Sequence, residues 1–231
     1  MYGLACTYCH QGKYSDAEVL FKKCLDKRKV VLGESHPRTL DTMTCLANAY
    51  VSQSKYRDAE VLYKRCLDKM KAVLGENHPT TLGTMNGLAV TYDRQGKYRD
   101  AEVLLKQCVD KMKVVLGENH PDTLFTMNNL ANAYSSQGEH RDAEVLYKQC
   151  LDKEWTVLGE NHPSTLITMK RLADTFVRQE KYRDAEVLLK QCLDKMKAVL
   201  GENHPHTLTT MNGLALVTSL IQLNQLKYQM C

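Results

Sequence analysis

Histidine and cysteine are the residues of this chain best suited to chemistry, and both recur at a fixed interval. His36, His78, His120, His162 and His204 each precede a proline, forty-two residues apart, inside LGESHP or LGENHP. Cys24, Cys66, Cys108, Cys150 and Cys192 follow the same period. Imidazole and thiolate are common zinc ligands, but a metal needs three or four of them about 2 Å from one ion. One of each per repeat supplies no such cluster. Cys6 and Cys9 make a lone CxxC without a second pair, which is a weak zinc signal. Phosphate-binding loops, GxSxG elbows and HExxH pairs do not occur. The chain therefore reads as non-enzymatic, with no catalytic residue, no metal ligand and no cofactor.

The interval decides the architecture. Full units run over 36–77, 78–119, 120–161 and 162–203, with a partial unit at 1–35 and another from 204. Within 120–161, Leu124, Met127, Leu130, Ala131 and Tyr134 recur at steps of three and four, the apolar stripe of an amphipathic helix. Ala143, Leu146, Tyr147, Cys150, Leu151, Val157 and Leu158 form a second stripe. Gly138 separates the two and Gly159 closes the second. Gly33, Gly75, Gly117, Gly159 and Gly201 are thus expected in left-handed C-cap conformations. The proline then opens the next helix, where its missing N–H has no partner to lose. LGENHP is a structural joint, its histidine at or near an N-cap. The periodic cysteines sit on the buried stripe and read as reduced packing thiols.

Composition narrows the partners. Net charge is +4, and the basic residues are interleaved with acidic ones rather than gathered in a stripe, which argues against nucleic acid. No run approaches the roughly 20 apolar residues of a membrane span. The opening MYGLACTYCHQGKY lacks the basic start and apolar core of an export signal, so a cytoplasmic location is expected.

The run Leu-Ala-x-x-Tyr, then Gly-Lys-Tyr, then Ala-x-x-x-Tyr-x-x-Cys resembles the tetratricopeptide repeat. The matching positions are Ala131, Tyr134, Ala143, Tyr147 and Cys150, with Cys where Ala is usual. Met43, Met85, Met127, Met169 and Met211 stand in place of the usual tryptophan. The 42-residue period and the LGxxHPxTLxTMxxLA joint are similar to the kinesin light chain subtype. The resemblance covers residues 1–215 and implies an all-α, right-handed superhelical solenoid of antiparallel helix pairs. It further implies a non-catalytic adaptor or cargo module that holds a peptide in a concave groove lined by first helices. Residues 216–231 depart from the repeat, with Thr218 where a Tyr is expected, and read as a divergent helix or cap. The alternative reading is a structural spacer, or a self-assembling fragment of a larger regulatory protein.

By the family register the groove residues are Asn48, Asn86, Asn128, Asn132, Lys170, Arg171 and Asn212. Asparagine can bond both groups of a peptide backbone, and Lys170 with Arg171 would favour an acidic protein or peptide ligand. Outside, Glu102, Lys106 and Asp110 alternate in sign as a solvated helix face does. One unit is irregular: KMKVVLG at 111–117 becomes KEWTVLG at 153–159. An unpaired buried carboxylate is costly, so Glu154 is expected to reach solvent or a cation, and Trp155 to lie partly buried against the following joint.

Overall fold

The computed structural model describes the backbone of residues 1–229 and the side chains of residues 1–226. Among them it contains helices and no strand. The chain divides into two compact units, Met1–Gly117 and the part that begins at Glu118.

The first unit holds α1 (Tyr2–His10), α2 (Tyr14–Leu32), α3 (Pro37–Ser52), α4 (Tyr56–Leu74), α5 (Pro79–Arg94) and α6 (Tyr98–Val115). Each helix packs on the next, and the first helices α1, α3 and α5 also touch in sequence. The stripe read from sequence is the buried one: Leu40, Met43, Leu46 and Ala47 on α3 and Tyr63, Cys66 and Met70 on α4 are all inside. Each large side chain so buried contributes about 1.5–3 kcal/mol against exposure. In the second unit, α7 (Pro121–Gln137), α8 (His140–Val157), α9 (Pro163–Arg178), α10 (Tyr182–Leu200) and α11 (Pro205–Gln229) repeat the scheme. Here α7, α9 and α11 are the neighbouring first helices. The divergent tail continues α11 as one helix as far as Gln229; Met230 and Cys231 lie outside the described residues.

The joint is built by its histidine, proline and glutamate together. His36, His78, His120 and His162 are N-caps, and Nδ1 of each accepts the backbone N–H two residues on, at 3.1–3.2 Å. The first orphan donors of the helix are thereby satisfied. The glutamate before each cap accepts from a lysine on the following second helix, as Glu76 does from Lys111 (2.8 Å) and Glu118 from Lys153 (2.8 Å). In the second unit the threonine of HPxT anchors the joint as well: Thr165 donates to Gly159 O (2.9 Å) and Thr207 to Gly201 O (2.8 Å).

The joint glycines correct one expectation. Gly33, Gly75 and Gly201 have positive φ of 89–92°, but ψ of 160–161° puts them in the mirror-extended region rather than the left-handed helical one. That region is essentially open to glycine alone. An extended exit suits a joint that must carry the chain away to the next N-cap. The left-handed helical conformation occurs instead at Gly138, with φ 87° and ψ 2°. The same turn in two sister repeats is made by Ser54 (φ 60°) and Glu180 (φ 61°), which carry a β-carbon there. A left-handed non-glycine residue costs about 1–2 kcal/mol, of which glycine's freedom in the unfolded chain returns part. Glu180→Gly is therefore expected to raise stability by about 0.5–1 kcal/mol in chemical denaturation.

The periodic thiols are internal. Cys66, Cys108 and Cys192 are buried and donate to Leu40 O, Leu82 O and Leu166 O at 3.2–3.3 Å, each 26 residues earlier. Burial pushes the Cys108 thiol up to about 12 and that of Cys192 up to about 11, so the thiolate needed for reactivity is scarce at neutral pH. Among the described residues no three His, Cys, Asp or Glu side chains are grouped to hold a metal ion, and no helix is long and apolar enough to cross a membrane.

Candidate functional site

The residues expected to line a groove do not share one environment. In the first unit Asn48 is exposed and accepts a hydrogen bond from the Tyr63 hydroxyl, while Asn86 is buried. In the second unit Asn132 on α7 is half-buried, Lys170 and Arg171 on α9 are half-buried, and Asn212 on α11 is exposed. Lys170 is paired with Asp174 one turn on (2.7 Å), so part of its charge is met within α9.

Asn128 has a different role from the one its register suggested. It is buried on α7, and its amide nitrogen donates to Leu124 O (3.2 Å) and to Glu154 Oε1 (2.9 Å). Its carbonyl accepts from the Thr168 hydroxyl (3.1 Å). Both amide hydrogens are used inside the protein, leaving none for a passing peptide.

The carboxylate that Asn128 holds departs from expectation too. Glu154 on α8 is only 2% exposed and forms no ion pair; its Oε1 is fixed by Asn128 and its Oε2 has no hydrogen-bond partner. Burial pushes its carboxyl above the ordinary range, and Thr168, Asn128 and the charge of Arg171 only partly offset that. The Thr168 hydroxyl lies within hydrogen-bond distance of Asn128 Oδ1 and of Ser164 O, and Oε2 is buried without a partner of good geometry. Trp155, next in sequence, is 45% exposed, its position on α8 turned more outward than that of the buried Glu154.

Glu154 faces a cavity of about 340 Å³ between α7, α8 and α9, whose apolar wall includes Phe125, Leu158 and Ile167 and whose polar wall includes Asn128, Thr168 and Arg171. Sister repeats show how unusual this is. Positions equivalent to Glu154 hold Arg28, Met70, Met112 and Met196; Arg28 donates to Thr42 (2.6 Å), and Thr84 and Thr210 rest their hydroxyls on the sulfur of Met70 (3.1 Å) and Met196 (3.3 Å). Positions equivalent to Phe125 and Ile167 hold Asp41, Gly83 and Thr209. Comparing copies flags Glu154 and Arg171 in the sequence. The partnership of Glu154 with Phe125 and Ile167 needs the helix rotations, and no linear pattern marks it.

The comparisons agree with this architecture. The tetratricopeptide repeat profile matches residues 1–72, 44–113 and 110–153, and a second tetratricopeptide repeat profile matches 165–206. No curated protein matches the sequence. A kinesin light chain-like protein from Podosopora anserina with nearly identical repeats superposes with a TM-score of 0.69 at 26% identity, over 85% of this chain and 93% of that one. BtubC from P. vanneervenii superposes with a TM-score of 0.75 at 19% identity, over 89% and 83%. NprR, solved with its cognate peptide NprX, gives a TM-score of 0.65 at 18% identity, over 95% of this chain and 59% of that one. With its helix pairs, capped joints and matched profiles, the chain belongs to the tetratricopeptide repeat family, and its structural neighbours include kinesin light chain-like arrays.

Proposed function

We propose that the protein is a non-catalytic interaction module whose second unit holds an acidic peptide segment of a partner across the first helices α7, α9 and α11. One observation carries the reading. The repeats are nearly identical on their second helices, whereas α7 and α9 differ from their sisters in charge and polarity. Asn132, Lys170, Arg171 and Asn212 provide the polar contacts, and Asn128 supports the site from beneath. Two neighbours of the same fold support the reading: NprR was solved with its peptide, and a Rap protein with competence and sporulation factor.

Each contact contributes about 1 kcal/mol net, so binding needs several repeats at once. Charge attraction should raise the association rate and fade with salt. The test uses a labelled acidic decapeptide of Glu, Asp, Leu and Gly, titrated by fluorescence anisotropy. Lys170→Gln with Arg171→Gln is expected to weaken binding about tenfold, some 1.4 kcal/mol, with an unchanged helical spectrum. Lys190→Gln, on the outer ladder where it pairs with Glu186 (2.7 Å), should change little. Equal losses from the two changes would move the surface away from the first helices.

A further inference from the structure

Four residues that differ from their sister repeats lie at one place in the second unit. Phe125, Glu154, Ile167 and Arg171 come from three different helices, and sister repeats hold Gly83, Met112, Thr209 and Gly213 at the corresponding positions. All four line the same cavity of about 340 Å³. Here they build an apolar wall around a single buried carboxylate.

The carboxylate specifies what would fit. Oε1 is taken by Asn128, while Oε2 is buried at the cavity wall without a partner. A buried acceptor without a donor is destabilising unless a ligand supplies one. One unpartnered oxygen suits a point donor better than a guanidinium, whose fork is satisfied by two oxygens side by side. An ammonium has three donors on a flexible apolar stem. Its stem can lie on Leu158 and Ile167, and the ring of Phe125 offers a cation-attracting face. A neutral apolar ligand would fill the cavity and leave Oε2 unmet.

We propose that the Glu154 pocket binds a primary alkylammonium group, its stem against Phe125, Leu158 and Ile167 and its charge on Glu154 Oε2. The group is either a lysine side chain of a bound polypeptide or a free aliphatic amine. Arg171 lines the pocket without pairing to the carboxylate, and its like charge opposes the ligand. Removing that charge therefore strengthens amine binding, the reverse of its effect on an acidic peptide. The lysine source rests on the peptide-binding reading above; the amine chemistry stands apart from it.

The test follows the methyl resonances of Leu158 and Ile167 in the full chain by NMR. The probes are n-butylammonium, Nα-acetyl-lysine-N-methylamide, and the norleucine and arginine analogues of the latter. Both amines are expected to shift these signals saturably, with the norleucine and arginine compounds at least tenfold weaker. Glu154→Met, which installs the residue of three sister repeats and so keeps the packing, should abolish the shifts. Arg171→Gln should tighten amine binding severalfold. Tighter binding of the lysine compound than of butylammonium assigns the site to a polypeptide lysine, and the reverse assigns it to a free amine. Norleucine binding as well as lysine, or undiminished amine binding in Glu154→Met, overturns the proposal. If the acidic peptide fails to bind while amine binding still depends on Glu154, the groove reading falls and the pocket stands. If the peptide binds and Glu154→Met leaves the amine titration unchanged, the pocket falls and the groove stands.

Discussion

Glu154→Met is expected to stabilise the second unit by about 2–3 kcal/mol at pH 7, the scale on which a buried, incompletely paired charge is unfavourable. Three features set the sign. The carboxylate is 2% exposed, Oε2 has no partner, and methionine already fills this position in α4, α6 and α10. The incoming sulfur also recovers a contact seen twice, a threonine hydroxyl on a methionine sulfur. Against the gain stands Asn128, which loses its Glu154 acceptor and must turn one amide hydrogen toward the cavity. The pH dependence separates charge from packing. Because burial raises the folded carboxyl, the wild-type penalty is absent below its unfolded value of about 4.3, grows as pH rises from there towards the folded value, and is constant above it. The advantage of the methionine variant should therefore shrink toward pH 4 and be larger at neutral pH. An advantage of equal size at both pH values would make it a packing effect alone.

Much of this architecture is legible in the sequence, for identifiable reasons. Forty-two-residue identity fixes the repeat, and steps of three and four fix both stripes, since burial of Leu124, Met127 and Ala131 requires only that the helices form and pair. The His-Pro joints are readable because capping and proline placement are local rules. Glu154 shows where local rules stop. Burial of that position was implied by Met112, but the partner that makes the burial tolerable, Asn128, lies 26 residues earlier on another helix. Asn128 and Asn132 share a helix face at i and i+4, yet only Asn128 is fully buried, beneath α8 and α9. Such a difference depends on how far each helix is rotated against its neighbours. The joint glycines are a smaller case. Glycine announces positive φ, but whether ψ is helical or extended depends on where the next helix must start.

Glu60→Gln is expected to destabilise the first unit by about 2 kcal/mol at pH 7, with a pH dependence opposite to that of Glu154. Glu60 on α4 accepts from Lys64 on its own helix (2.6 Å) and from Lys97 at the start of α6 (2.8 Å). Both lysines also sit over the Tyr92 ring of α5, at 5.6 and 5.3 Å from its centre. Beside them Gln95 donates to Tyr56 O (3.1 Å), so carboxylate, two ammonium groups, ring and amide tie one helix pair to the next. The same cluster occurs at Glu18 with Lys22, Lys55 and Tyr50, and at Glu144 with Lys148, Lys181 and Phe176. At Glu60 the hydrogen bonds from Lys64 and Lys97 outweigh burial and hold the carboxyl at about 2. At Glu18 and Glu144 burial is the largest single influence and pushes upward, but two lysines and a glutamine together bring each to about 2. A depressed folded value means stability that is present above the unfolded value of about 4.3 and lost as pH falls toward 2. The deficit of Glu60→Gln should therefore be full at pH 7 and nearly gone at pH 2, where wild type has lost the same contribution. Glu76→Gln supplies the contrast: that joint carboxylate meets Lys111 while 63% exposed, and solvent screening leaves such a pair little effect on stability. Equilibrium denaturation of both variants between pH 2 and 7 makes the comparison. Equal deficits for Glu60→Gln and Glu76→Gln would show that the lysine pairs act as surface charges and that the aromatic-backed clusters add nothing to the cohesion of neighbouring repeats.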